Sequence, residues 1–525
     1  PFYFMKDLNP TGQQLVHDIQ LTRTQKEDRE RRRAGAQKVH VVGAGGTLTA
    51  AYEQLRNAAE YTEEHVLLQR AIRRFYRRLF LLKDKKLIAS SGEELVIELT
   101  QAGYLANDTV AEEDIQTINL NANKYYQAYL ALHRTKGVSH EQADKWTYEL
   151  LAVEVDWLLN DASHLQAFTQ FAHSYFNQSI DIESLFGKLP DDAETSLYVA
   201  IHRALLKSDD AAVRLGLLRR YQQTTDNLPN YVAINTKIDA LLVSPTTEKL
   251  FRLVDKRGAP LRVLRHVMEE NTDIERLLGQ KDQFLLTFEK QVNTDYASIN
   301  RRVNHGIIKS VIFLVITKFL IGIAVEIPYD YIIFGSILWL PLVVNLLFPP
   351  LYMVLLRATM MLPGAANTSR LVDQIERTLY GDQTVKQIAR RPRQEFGSGY
   401  NIAYGLLFVI VFGAVALGLW KYLNFDIVHL LIFFIFLSAA SFLGFRLSRN
   451  IREIESVETH QNGITLVRDF LYMPFVVVGR YLSDRYARIN IVALALDMLI
   501  ELPLKTILRL VRQWAAFITS KKDEL

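Results

Sequence analysis

A lysine in the middle of an apolar run is the first residue in this sequence to signal chemistry. Lys318 lies in the stretch 307–327, about 16 Å from Ile307 along a helix rising 1.5 Å per residue. A central lysine costs roughly 2.5–3.5 kcal/mol to insert, so an intramembrane ammonium is read first as part of a functional polar site. Its candidate partners are Asn345, Glu326 and the more distant Asp497. A lysine that snorkels or is structurally paired is the alternative. Pro341, Pro349 and Pro350 interrupt the next apolar run and free backbone carbonyls that must be satisfied inside protein.

Residues 67–86 carry a second pattern. On a helical wheel Arg70, Arg73, Arg74, Arg77 and Arg78 share one face, opposite Leu68, Ala71, Ile72, Phe75, Leu79 and Leu82. Such a helix can lie on anionic lipid, gaining roughly 1 kcal/mol per basic residue near the surface. The alternative is that its apolar face packs into a helical domain while the arginines pair with acids such as Glu60, Glu63 and Glu64. The net charge of +4 over 525 residues is small, and no nucleic-acid partner is expected.

Covalent and cofactor chemistry find little support. The chain has no cysteine, which excludes disulfides, thiolate metal sites and thiol catalysis. Gly43-Ala44-Gly45-Gly46 lacks the third glycine of a dinucleotide-binding turn, and the region 20 residues on reads as helix. His140 and Asp144 have helical spacing but do not by themselves close a zinc site. Gly397-Ser398-Gly399 lacks the outer spacing of a nucleophile elbow. No catalytic residue, metal or cofactor is expected, and the balance leans away from an enzyme.

The elements that must position these residues are helices. Four apolar runs, 307–327, 331–356, 402–422 and 427–445, are each long enough to cross a hydrocarbon core of roughly 30 Å. Alternating strand patterns are few. The expected fold is all-α: a polytopic membrane protein with a large cytoplasmic helical domain, four transmembrane helices and C-terminal amphipathic helices. The expected divisions are a loose lead-in at 1–46, a helical domain at 47–305, membrane helices at 306–446 with a polar loop at 358–401, and interfacial helices at 447–525. Capping boxes are expected at Ser91–Glu94, Thr109–Glu112 and Ser139–Gln142. The segment 470–478, interrupted by Pro474, reads as a re-entrant or interfacial turn. In 489–518, Asn490, Asp497, Glu501, Lys505, Arg509 and Arg512 form one polar stripe on an otherwise apolar helix, which suits the interface or the bundle.

Orientation follows from the short connections. Arg301, Arg302, His305 and Lys309 stand at the boundary of the first run, and 358–401 and 446–452 are also basic. The connections at 326–330 and 421–426 hold one lysine between them. Both termini are therefore expected in the cytoplasm. The sequons at Asn107, Asn177 and Asn367 then read as chance matches, and the final Lys-Asp-Glu-Leu as a charged tail rather than a retention signal.

Three stretches, YEQLRNAAEYTEEHVLLQRAIRR, IPYDYIIF…LPLVVNLLFPPLYM and RINIVALALDMLIELPLKTILRLVRQW, carry a resemblance. The chain resembles an uncharacterised family of multi-pass bacterial inner-membrane proteins, similar to sequences from uncultured small-genome lineages. The resemblance spans most of the chain and implies a bacterial inner membrane. It implies no activity and no functional residues. A membrane-anchored scaffold or interaction protein is the first functional expectation, with the bilayer as partner and protein partners or self-association through the helical domain. The alternative is a transporter or channel subunit using a polar site near Lys318.

Overall fold

Helices joined by short turns make up the computed structural model, which describes residues 7–41, 64–160, 163–381, 398–456 and 463–488. Among the described residues there is no strand, and Lys38 and Ala111 form an isolated antiparallel bridge. The protein is an all-α polytopic membrane protein. Gly43–Gly46 and the striped segment 489–518 lie outside the described residues.

Two apolar cores organise the extramembrane part. Helices Glu64–Leu82, Glu112–Leu132 and Tyr148–Leu159 surround the first, with Tyr76, Phe80, Tyr126 and Trp146 wholly buried. Ser163–Ser179, Ala193–Ile201, Pro245–Arg257 and Ala259–Glu270 build the second around Phe168, Phe171, Phe176, Phe284 and Phe288. Each buried phenylalanine contributes roughly 1.5–3 kcal/mol over exposure, so the second core is a strong anchor for whatever joins it.

The amino-terminal segment joins it. Rather than a loose lead-in, Pro10–Ala34 is one helix, and Leu8, Leu15, Val16 and Ile19 enter the second core. The Asn9 carboxamide donates to the carbonyls of Thr378 and Gly381, each at 3.0 Å. Of the three expected capping boxes, only Ser139–Gln142 forms. The Ser91 and Thr109 hydroxyls donate instead to the carbonyls of Ile88 and Ala106, and their helices begin at Ser91 and Glu112.

Four helices are long and apolar enough to cross a membrane: Lys281–Phe334, Trp339–Ala358, Ile402–Leu423 and Ile427–Arg452. The first begins in the second core. Its segment Lys281–Ile321 runs unbroken for 41 residues, about 60 Å. Ile308, Ile312, Phe313, Phe319 and Leu320 point outward as a lipid-facing surface requires, while Leu314 and Lys318 point inward. The connection expected at 326–330 is helix instead. Gly322–Glu326 makes a π-helical turn, and Ile327–Phe334 continues with Pro328 in its first turn, where a missing N–H is tolerated. The chain reverses at 335–338, where Gly335 adopts φ +69°.

The polar loop at 358–401 is also more ordered than its composition suggests. Ala365–Leu379 is a helix whose Leu371, Ile375 and Leu379 enter the second core. Asn367 ties its start to the end of the fourth span. Its amide donates to Tyr296 Oη (2.8 Å) and the Ile454 carbonyl (2.9 Å), and its oxygen accepts from Ser456 N (2.7 Å). Buried Arg262 donates to the Glu453 carbonyl at 2.6 Å, and Lys207 pairs with the Glu453 carboxylate at 2.7 Å. Domain and membrane bundle are thus joined by a shared helix, a docked loop and these contacts.

Residues 470–478 form no turn. Gly463–Arg488 is a single helix running through Pro474. Its apolar part, Phe470–Ser483, is about 21 Å long, short of a full crossing. Gly479 lies so close to the fourth span that an added Cβ would collide with the Ser438 carbonyl, and Phe475 packs against Phe412 and Phe434.

Candidate functional site

The first, second and fourth spans bring Lys318, Glu326 and Asn345 together. Lys318 is 1% exposed, and Glu326 and Asn345 are wholly buried. Lys318 Nζ lies 2.5 Å from Glu326 Oε1, and Asn345 Nδ2 donates to that same oxygen at 3.0 Å. Asn345 Nδ2 also reaches the His429 carbonyl at 3.3 Å. The Phe436 ring centroid is 5.0 Å from the ammonium, adding a cation–π contact from the fourth span.

The π-helical turn makes this pairing possible. In a regular α-helix, residues eight apart are about 80° out of line. One extra residue in the turn lets position 326 behave as the seventh after 318, about 20° from alignment. Helical side chains lean toward the N-terminus, so Glu326 leans back toward the extended Lys318. The two sites therefore meet along one helix, and Asn345 closes the group from the next.

A second pair lies close by. Asp330 and His429 are both wholly buried, with Asp330 Oδ1 3.2 Å from His429 Nε2 but off hydrogen-bond alignment. Asp330 Oδ2 accepts from Leu338 N at 2.9 Å and so fixes the reversal between the first two spans. At its rim the Tyr329 hydroxyl donates to Asp426. Glu326 Oε2, Asn345 Oδ1 and both ring nitrogens of His429 have no hydrogen-bond partner among the described residues. The cluster thus gathers one amine, two carboxyl groups, an imidazole and a carboxamide in one buried site. It can hold or exchange a proton or a small cation.

Sequence reasoning found the first three residues and missed Asp330 and His429. Asp330 was assigned to an outward connection, whereas it lies on helix. The available signal was that two apolar runs carry an acid and a histidine at facing ends. Asp497, the third candidate partner of Lys318, lies outside the described residues.

The basic face at 67–86 is placed differently. Leu68, Ala71, Ile72, Phe75 and Leu79 are buried in the first core, so the helix has spent most of its apolar face inside the domain. Only Leu82 of that face is exposed. Of the two placements open to this helix, the buried apolar face fits packing into the helical domain. Arg78 pairs with Glu98 at 2.9 Å, and Arg73 with Asp209 at 2.7 Å and Glu149 at 3.9 Å. Arg70 and Arg74 are half-buried and Arg77 is exposed. Of the acids expected to pair with them, Glu60 and Glu63 lie outside the described residues. Among the described residues no group of three or more metal-ligating side chains converges. Comparison with family models, curated proteins and solved structures finds no match, so the reading of the site rests on its geometry.

Proposed function

We propose that the protein is a transporter or channel subunit of the bacterial cytoplasmic membrane, with both termini in the cytoplasm. Lys318, Glu326 and Asn345 form the site at which a proton or small cation is handled. The observation that supports this is the fully buried Lys318–Glu326 pair inside the membrane bundle. Burying two ions costs several kcal/mol each, and well-packed apolar residues of similar volume are often as stable or more so. Stability alone therefore gives little reason to keep the pair. The unpartnered Glu326 and His429 atoms beside it offer places for an exchanging ion. Basic residues at 301–309 and 446–452, against the nearly uncharged reversal at 335–338, support the orientation.

A second reading, a membrane-anchored scaffold, is supported by the stiff connection between the large helical domain and the bundle. Flux measurements separate the two. Full-length protein in liposomes, under an imposed gradient of protons, sodium or potassium, should conduct above empty liposomes. Lys318→Met or Glu326→Gln should lower that flux at least ten-fold. Wild-type protein indistinguishable from empty liposomes for every cation would leave the scaffold as the better account.

A further inference from the structure

The polar cluster is placed unevenly along the bundle. Among the described residues of the four spans, the buried amine, carboxyl and imidazole groups are Lys318, Glu326, Asp330 and His429. They run from mid-bundle towards the end remote from the helical domain. Asp330 stands five residues before the reversal at Gly335, about 8 Å along its helix. His429 stands three residues after Asp426, where the fourth span begins, about 5 Å along.

Towards the helical domain no such group continues the line. No carboxylate, amine, guanidinium or imidazole occurs between Lys309 and Lys318, between Asn345 and Arg357, or between His429 and Arg446. Leu314, Met353, Leu356 and Ala440 fill that half as part of one apolar cluster. Gly444 lies so close to Leu356 that an added Cβ would be 2.7 Å from Leu356 Cδ1. The buried site therefore meets proton-carrying groups on one side and packed hydrocarbon on the other.

The groups on the remote side suit a proton better than a metal cation. A hard cation takes an all-oxygen shell. Here Glu326 already faces the Lys318 ammonium, and Asp330 Oδ1 faces an imidazole. A proton needs one acceptor at a time, and imidazole is the side chain that changes charge nearest neutral pH. Buried lines of Asp, Glu and His in spans are the usual form of a proton relay. Around His429 the first span presents Tyr329 and Asp330, with the Tyr329 ring centroid at 6.2 Å. Its own helix begins with Asp426, which accepts from Tyr329. The second span presents the Asn345 carboxamide and has no titratable side chain between Trp339 and Leu351. Lys421 of the third span is exposed.

Resting on the reading of this cluster as an exchanging site, we propose that its ligand is a proton. The proton reaches Glu326 from the end remote from the helical domain, through Asp330 and His429. Asp330 takes a proton from that side and passes it to His429 Nε2. The imidazolium then releases the proton on Nδ1, and the Glu326 carboxylate gains one. Asp330 and His429 return to their starting charge, and a tautomer exchange resets the imidazole.

Time-resolved infrared spectroscopy on the full-length protein in lipid tests the route. A flash releases protons from a caged acid, and the Glu326 carboxyl band, the one that Glu326→Gln removes, reports their arrival. His429→Gln and Asp330→Asn should each slow its rise at least ten-fold without abolishing the band. Asp330→Asn keeps an oxygen for the Leu338 N–H. Ser441→Ala removes a hydroxyl of the opposite half, bonded to Tyr352 at 3.1 Å, and should leave the rate unchanged. Circular dichroism should show every variant folded. A wild-type rate in His429→Gln or Asp330→Asn, or equal slowing in Ser441→Ala, would overturn the route. A Glu326 band that answers sodium or potassium at constant pH, but not proton release, would overturn the proton and leave the exchanging site standing. No band lost on Glu326→Gln would remove the exchanging site, and the proposal with it.

Discussion

Lys318→Met removes the buried charge while keeping the length of the side chain. At 2.5 Å and an effective dielectric of about 20, the Lys318–Glu326 attraction is about 7 kcal/mol. Desolvation of the two ions offsets most of this, so the pair's net worth is small. Its breakage is another matter. Without the ammonium, Glu326 is an uncompensated buried carboxylate, and the expected cost is about 3–5 kcal/mol. The hydrogen bond from Asn345 survives and holds the cost near the lower end. That is still more than a hundred-fold in the folded-to-unfolded ratio. Adding Glu326→Gln should restore stability to near wild type, giving a coupling of about 2 kcal/mol or more. Equilibrium unfolding in mixed micelles, followed by circular dichroism on wild type, both single variants and the double, gives the cycle. If Lys318→Met stays within about 0.5 kcal/mol of wild type, the ammonium is not buried against Glu326 and the reasoning fails.

Asn367→Ala should cost about 2–4 kcal/mol, because it strands the buried Ser456 N–H and two further partners; chemical unfolding would show it, and a neutral result would mean that strap does not hold the fourth span. Burial pushes the Asp156 carboxyl up to about 6 and the His202 imidazole down to about 4. Asp156 therefore weakens the fold as pH rises through about 4–6, whereas His202 weakens it as pH falls from about 6.5 towards 4, and the two oppose each other. Asp156→Asn should unmask a decline below pH 6.5 of at most about 3 kcal/mol, which Asp156→Asn/His202→Gln should lack in thermal melts; matching profiles would contradict it. For orientation, Ser336→Cys and Asn424→Cys should react with an impermeant thiol reagent on whole cells while exposed Ser369→Cys should not. The reverse pattern would invert the topology.

The membrane runs were legible because hydrocarbon admits few alternatives to long apolar helices. Lys318, Glu326 and Asn345 were legible because polar groups at that depth carry a visible cost. The π-helical turn was not, since nothing in Gly322–Glu326 marks an extra residue, and with it went the true position of the reversal and the role of Asp330. Pro474 read as a break, yet the helix Gly463–Arg488 runs through it. The helix Ala365–Leu379 did leave a signal, Leu371, Ile375 and Leu379 at four-residue spacing, which the surrounding charge obscured. The basic face of Glu64–Leu82 had two physical outcomes, and only tertiary packing decided between them.

The central claim is that Glu326 belongs to an exchanging site rather than to a sealed structural pair. Infrared difference spectroscopy on full-length protein in lipid, with pH or cation stepped across the film, reads this directly. A carboxyl band that responds to the step and disappears in Glu326→Gln is the predicted result. A spectrum in which no band is lost on Glu326→Gln, from protein shown to be folded, would contradict the account.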